Sequence, residues 1–346
     1  MADSDRRAIL RGLPALGLAA GLAACGGKAS SGEERAHLGP ARTVAFAVGT
    51  TGSDFVTEIS VGAADAAEML GWRFTRVLNP QPTPEFHINA IKNAIAARAD
   101  VVVTVDWYQA VVDEIRRTQG RNVRFAIVNS ASSPAALAAM NVPFVGQEPH
   151  VTGKLMGERI ASTLRERGVT QGSVLVGNPF PGSVNVEARI RGIGDGLAAG
   201  GAYRMVSFAD GSAAEPAASV SLYKAKITEL GDVVAHAVAG GEMSVVPLAK
   251  ALSELGPQAR GALVASWGSS LRTFKLVKDG QVTFALDENL YYQGFMAVLL
   301  AWSQFERGLP AVTLSSGHVW VAPDNVDAMI ASYERRKAAA VAYGLS

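Results

Sequence analysis

The sequence predicts an α/β protein of two similar lobes, each a doubly wound parallel sheet with helices on both faces. Three observations carry that prediction. From residue 43 onward, short apolar runs with β-branched members alternate with longer segments of helical period, the pattern of repeated strand–helix units. After residue 150 the rhythm restarts. Finally, 346 residues with 49% apolar content exceed what one core organises, since single cores stop growing near about 250–300 residues.

In chain order, the first segment reads as an export address. Arg6, Arg7 and Arg11 form a positive n-region, followed by GLPALGLAAGLAA (12–24), uncharged and 13 residues long. A membrane-spanning helix needs roughly 20 residues, so this run has the proportions of a signal-peptide h-region. It ends Leu22-Ala23-Ala24-Cys25, which resembles the bacterial lipoprotein signal: small residues admit the peptidase, and the Cys25 thiol is the nucleophile that is acylated. Asp5-Arg6-Arg7-Ala8-Ile9-Leu10-Arg11 also resembles the twin-arginine motif, which leaves the export route open between the general secretory and twin-arginine systems. Residues 25–42 comprise the anchor cysteine and a Gly/Ser-rich, aperiodic stretch that reads as a flexible tether.

The body opens with Thr43–Val48 as a strand and Phe55–Leu70 as a helix. Trp72–Leu78 is a second strand, and Glu85–Arg98 a helix with Ile88, Ile91 and Ile95 on one face. Asp100–Val105 (DVVVTV) is almost wholly apolar, as a strand buried on both faces of a parallel sheet should be. Helix Ala110–Gln119, strand Val123–Val128 and a short strand Pro143–Gly146 complete the first set. The second runs through helix Thr152–Arg167, strand Ser173–Gly177, helix Val184–Ala199 and strand Tyr203–Phe208. Strand Val233–Val238, helix Met243–Leu255 and strands Gly261–Ser266 and Gln281–Leu286 continue it. Helix Tyr291–Arg307, edge segments Val312–Leu314 and His318–Val321, and a helical stretch over 323–346 close the chain. In such sheets ligands bind at the carboxyl ends of the strands, and two facing lobes place those ends in one cleft.

Composition excludes several function classes. With 32 basic and 31 acidic residues the net charge is +1, and removal of 1–24 leaves 29 of each, giving no electrostatic reason to bind nucleic acid. Cys25 is the only cysteine, so neither an intramolecular disulfide nor a cysteine metal cage can form. The five histidines (37, 87, 150, 236 and 318) show no His-x-x-x-His pair, and no metal site or cofactor is expected. There is no Gly-x-Ser-x-Gly elbow and no Walker motif, so the chain is not expected to be an enzyme. Gly192-Ile193-Gly194-Asp195-Gly196 lies inside a helical pattern, where glycines serve close helix packing rather than phosphate binding.

Four stretches in order carry a family resemblance: AFAVGTTGSDF (45–55), GQEPHVTGKLMGERIA (146–161), NVEARIRGIGDGL (185–197) and ALDENLYYQGFMAVLLA (285–301). Together they resemble the type I periplasmic solute-binding proteins of the ribose-binding branch, the receptor components of ABC sugar importers, over residues 43 to about 322. The resemblance implies lobes joined by a three-strand hinge, with crossings near 147–150, 285–289 and 314–318. It divides the chain into an N-terminal lobe (43–149 plus 289–316), a C-terminal lobe (150–288 plus 317–330) and a helical tail (331–346). It implies ligand contacts from Ser53, Asp54 and Phe55 in the first loop, from Asp106, Trp107 and Asn129 after the third and fourth strands, from Arg189, and from Asp287 and Glu288 at the second crossing. The chain departs from the family pattern at Gly240-Gly241-Glu242-Met243, at Ser266-Trp267-Gly268, at Glu288 in place of a glutamine and at Leu290 in place of a proline.

The residue chemistry is compatible with a sugar. Hydroxyls donate and accept, which calls for carboxylates, amides and an arginine fork, while C–H faces call for aromatic rings. Trp107, Trp267, Phe55 and Phe180 follow strands at the cleft ends; the tryptophans either meet ligand or cap the core beneath their lobes. Arg189 either enters the cleft or forms a surface ion pair with Glu187 or Asp195, and Asp54 and Asp106 can equally be helix N-caps. The two glycines at 240–241 enlarge the C-lobe side while Trp267 fills some of that volume, so the ligand is expected to be less polar than a free pentose or to present an apolar face there, as a deoxysugar, a polyol or a nucleoside would. The resemblance thus implies a monomeric, lipid-anchored, extracytoplasmic binding protein that delivers a sugar-like ligand to an ABC permease. The alternative is a receptor subunit presenting its ligand to a chemoreceptor or sensor kinase.

Overall fold

In the structure, a computed structural model, residues 38–50, 53–81, 83–120, 122–131 and 134–345 are described. The export segment 1–24, the Cys25 lipidation site and most of the tether lie outside them.

The first half of the chain forms β1 (Thr43–Val48), α1 (Asp54–Met69), β2 (Arg73–Leu78), α2 (Pro84–Ala96), β3 (Val101–Thr104), α3 (Gln109–Thr118), β4 (Arg124–Ser130), α4 (Pro134–Ala139) and β5 (Phe144–Gln147). The second set is α5 (Pro149–Glu166), β6 (Gln171–Asn178), α6 (Val184–Ala198), β7 (Ala202–Ala209), α7 (Pro216–Leu230), β8 (Val233–Val238), α8 (Glu242–Leu255), α9 (Pro257–Arg260), β9 (Leu263–Trp267), α10 (Leu271–Lys278) and β10 (Phe284–Asp287). α11 (Leu290–Arg307), β11 (Thr313–Ser315), β12 (Val319–Val321) and α12 (Val326–Ala342) follow.

These strands make two six-stranded sheets, ordered β2-β1-β3-β4-β5-β11 and β7-β6-β8-β9-β10-β12. All pairings are parallel except β12 against β10. Alternation along the central strands explains the double winding. Val44, Phe46 and Val48 of β1 pack into the cluster under α1 and α11, while Ala45 and Ala47 join the opposite cluster with Ile91, Val111 and Ile115. In the second sheet Val174 and Val176 face Met156, Ile160 and Ile193, and Leu175 faces Tyr223 and Leu248.

Close helix pairing depends on glycine. An added Cβ at Gly157 would stand 2.2 Å from the Ile193 carbonyl oxygen, and one at Gly192 2.2 Å from that of His150. α5 and α6 therefore touch backbone to backbone, the role the sequence assigned to the 192–196 glycines; Gly192 and Gly196 fill it, while Gly194 faces the Met205 side chain.

The chain passes between the sheets three times, at β5 to α5, β10 to α11 and β11 to β12. Four helices escaped the sequence reading: α4, α7, α9 and α10, of which α4 and α9 have only six and four residues. α7 buries only Ser219, Val220 and Tyr223, too narrow a stripe to register as amphipathic, and α10 has only eight residues. The boundary drawn at 330/331 falls inside α12. That helix starts in the C-lobe core, where Val326 and Tyr333 pack with Phe274 and Val282, and ends against α1, where Ala340 and Leu345 meet Val61 and Ala64. An Arg336–Glu58 ion pair and a Tyr343 hydroxyl 2.6 Å from Asp65 fasten it there. Among the described residues no helix is long and apolar enough to cross a membrane.

Candidate functional site

Loops at the carboxyl ends of both sheets face one another across a cleft of about 1590 Å³. A site closed around a small ligand typically encloses roughly 300–1,000 Å³, so the two walls stand apart.

On the N-terminal wall Ser53 accepts a hydrogen bond from the Val56 amide at 3.3 Å and so caps α1, placing Asp54 and Phe55 in its first turn at the cleft. Phe55 packs on Trp107 with ring centroids 5.5 Å apart. Behind Trp107 stands His87, edge-on at 6.1 Å. Burial pulls the His87 pKa down to about 4. The Thr104 hydroxyl donates to the Ala47 carbonyl at 2.6 Å and lies 2.9 Å from His87 Nε2, so that nitrogen carries the proton and donates. Trp107 thus rests on a neutral, fixed ring. Its Nε1 lies 3.4 Å from Asn129 Oδ1. Asn129 holds φ at +77°, a left-handed conformation that asparagine tolerates better than most residues, and borders the cleft where β4 ends.

Arg189, in the second turn of α6, organises the C-terminal wall. Its Nη2 donates to Glu288 Oε1 at 2.7 Å, its Nη1 to the Ala239 carbonyl at 2.9 Å, and its guanidinium lies 4.5 Å from the centroid of the Trp267 ring. Fork, carbonyl and ring together fix one arginine geometry, which a lysine could not reproduce. The paired side chains are 13% and 12% exposed, enough to meet a ligand while screened from bulk water. Trp267 belongs to the C-lobe core at 1% exposure and also borders the cleft.

Of the ten residues expected to meet ligand, Ser53, Asp54, Phe55, Trp107, Asn129, Arg189, Trp267 and Glu288 border the cleft. Asp106 and Asp287 do not, which corrects their expected placement. Asp106 is fully buried. Asp287 is turned inward, accepting from the Ser269 hydroxyl and from the Asn289 amide at 2.8 Å, and burial raises its pKa. It anchors the second crossing instead. Around it Asn289 Nδ2 donates to the Ser316 carbonyl, Gln147 Nε2 to the Gly317 carbonyl and the Ser316 amide to the Gly146 carbonyl, each at 2.8 Å, tying all three crossings into one knot. Arg189 takes neither surface partner expected of it: Glu187 accepts from Asn178 and the Gly182 amide, and Asp195 lies 2.7 Å from His150.

Sequence reasoning missed a buried network that shapes the loop after β7. Asp210 accepts from the Ser212 amide at 2.9 Å and hydroxyl at 2.6 Å, and from the Tyr223 hydroxyl at 2.9 Å. The Asp-Gly-Ser triplet at 210–212 was the available signal, as an Asx turn. Among the described residues no cluster of three or more His, Cys, Asp or Glu side chains could hold a metal.

A sequence profile described as the periplasmic binding protein domain matches residues 44–308. No curated protein matched the sequence. Solved structures share the fold at low identity. A glucose-galactose binding protein from Geobacillus stearothermophilus superposes with a TM-score of 0.73 at 17% identity, over 83% of this chain and 99% of its own. An ABC transporter solute-binding protein from Agrobacterium vitis, bound with α-D-tagatopyranose, gives 0.74 at 16% over 84% and 98%. A carbohydrate transporter protein from Acidothermus cellulolyticus 11B, in complex with myo-inositol, gives 0.71 at 20% over 86% and 99%.

Proposed function

The chain belongs to the periplasmic binding protein domain family and has its type I fold, and from that premise we propose that it captures a sugar or sugar-like molecule in the cleft and delivers it to an ABC permease by hinge closure. It is a binding protein and performs no chemistry on its ligand. The observation that carries the proposal is the complementary pair of walls: the Phe55–Trp107 platform with Asn129 on one lobe, and the Arg189–Glu288 pair over Trp267 on the other. Aromatic faces suit sugar C–H surfaces, and the arginine, carboxylate and amide suit its hydroxyls.

Closure follows from where those groups sit. Glu288 lies in the second crossing itself, one residue from Asp287, so a ligand bonded to both walls engages the hinge directly. Taking a two-state hinge from 1:99 to 99:1 needs about 5.5 kcal/mol of differential affinity. Two or three hydrogen bonds to charged groups, at about 1.5–3 kcal/mol each, supply that. The sugar-bound relatives among similar structures support the ligand class. Cys25 would carry the lipid that holds the protein at the outer face of the membrane, with the following stretch as tether.

Native mass spectrometry of freshly purified protein tests the proposal. A co-purified mass matching a sugar, polyol or sugar derivative is expected, released on denaturation. A chain that carries none, and takes up none when incubated with a carbohydrate library, would overturn it.

A further inference from the structure

The helix α12 links the lobes a fourth time, and we propose that it is a strap that holds the cleft open, so that closure must peel its C-terminal half away from α1. The inference rests on the hinge closure proposed for the cleft and gives ligand affinity a control outside it. α12 lies beyond residues 44–308, the part of the chain that matches the family profile.

Three observations carry it. First, α12 is one stiff rod: VDAMIASYERRKAAAVA is alanine-rich and holds neither glycine nor proline, the residues at which helices kink. Second, the rod is seated in both lobes. Val326 and Tyr333 lie in the C-lobe core, Tyr333 edge-on to Phe274 with ring centroids 6.4 Å apart. Beyond them Arg336 pairs with Glu58 of α1, and Ala340 and Leu345 pack on Val61 and Ala64. The Tyr343 hydroxyl lies 2.6 Å from a carboxylate oxygen of each of Asp65 and Glu68, and Arg76 donates to the Leu345 carbonyl at 2.7 Å. A stiff rod keeps two seats at one interlobe angle only, and here that angle leaves the walls apart. Tyr333 to Tyr343 span about 15 Å of helix, so a turn of about 10° at the root carries the tip about 2.6 Å, enough to break every hydrogen bond there. Third, the seats are unequal. The C-lobe seat is fully buried among aromatic and branched side chains, whereas the α1 seat rests on small residues and on exposed Tyr343, so it gives way first. The strap also meets the cleft. Asp54, which borders it, stands one turn before Glu58 on α1, and burial together with a hydrogen bond to Asp54 raises the Tyr333 pKa. A ligand that takes Asp54 as its acceptor therefore competes with Tyr333 where the rod leaves the C-lobe.

The test compares the native protein with two variants by small-angle scattering and by calorimetric titration with D-galactose, D-glucose, D-arabinose and myo-inositol. Tyr343→Phe/Leu345→Ser cuts the far seat, and Glu334→Gly/Lys337→Gly softens the rod at two exposed positions between the seats while leaving both seats intact. Each variant should have a smaller ligand-free radius of gyration, and any probe that binds the native protein should bind each about fivefold tighter, because apparent Kd falls as the closed fraction rises. In the native protein, saturation with that probe should lower hydrogen-exchange protection over residues 338–345. Variants that match the native protein in both measurements overturn the inference, since the helix then rides passively on the lobes. Weaker binding with a larger radius also overturns it, by assigning α12 to the closed state, and so does protection that rises on saturation. If no probe binds, the sugar reading fails, while the ligand-free radii of the variants still decide the strap.

Discussion

Replacing Arg189 with methionine keeps an unbranched stem of similar reach but removes the fork. Glu288 is then left as a charge with 12% of its side chain exposed, and the Ala239 carbonyl loses its donor. Breaking a fully buried pair costs about 3–5 kcal/mol, and because this pair borders a water-filled cleft the expected loss is about 2 kcal/mol. At roughly 2–4 °C per kcal/mol for lobes of this size, the melting temperature should fall about 4–8 °C. Most of that cost belongs to the stranded carboxylate rather than to lost attraction. Adding Glu288→Gln should therefore recover more than half of it, a coupling visible only in the full cycle of single and double variants. Arg189→Lys should fall between, since one ammonium cannot serve Glu288, Ala239 and the Trp267 face together. In titration calorimetry, loss of a charge-assisted ligand hydrogen bond should weaken binding about 10- to 150-fold, even at temperatures where the variant is fully folded. If Arg189→Met melts with the native protein, or if Glu288→Gln deepens the loss additively, the pair does not organise this wall.

Three further outcomes follow from the same geometry. His87 and His236 are buried and neutral, each pulled to about 4, so the unfolded chain takes up protons near pH 6.5 that the folded chain refuses. Stability should be full above 6.5 and fall towards pH 4, by about 3 kcal/mol per histidine. Glu58 opposes this: burial outweighs Arg336 and pushes its pKa up to about 7, so its own contribution, of about 3 kcal/mol, declines as pH rises from 4.5 to 7. Urea melts across pH 4–8 should show a net acid loss that His87→Gln/His236→Gln flattens; an unchanged profile would contradict the assignment. Gly157→Ala sets a Cβ 2.2 Å from the Ile193 carbonyl oxygen and should cost about 1–3 kcal/mol, whereas Gly194→Ala, facing the flexible Met205 methyl at 3.3 Å, should stay within about 0.5 kcal/mol; equal melting of the two would refute the close pairing of α5 and α6. Cys25→Ala should move the protein from the detergent phase to the aqueous phase in a Triton X-114 partition of expressing cells, and unchanged partitioning would argue against the anchor.

What the sequence made legible is what local periodicity encodes. Strands such as Val101–Thr104 are buried on both faces and announce themselves as unbroken apolar runs. Ser53 and the aromatic pair could be placed because they follow directly on strand or helix boundaries. α7 was hidden because it buries too narrow a face to leave a 3.6-residue signal, and α4, α9 and α10 because they are too short to show a period. Asp287 looked like a ligand group because a carboxylate after an apolar strand reads the same whether it faces the cleft or the hinge; only the Ser269 hydroxyl, 18 residues away, decides. Arg189 and Glu288 are 99 residues apart, and Glu58 and Arg336 278 apart, so no spacing rule could join them.

Small-angle scattering of the purified protein, with and without the ligand identified by mass spectrometry, tests closure most directly. A saturating ligand should shrink the radius of gyration and shift the profile between two end states, with a midpoint at the calorimetric Kd. A ligand that binds with measurable heat yet leaves the profile unchanged would contradict a hinge worked by contacts to both walls.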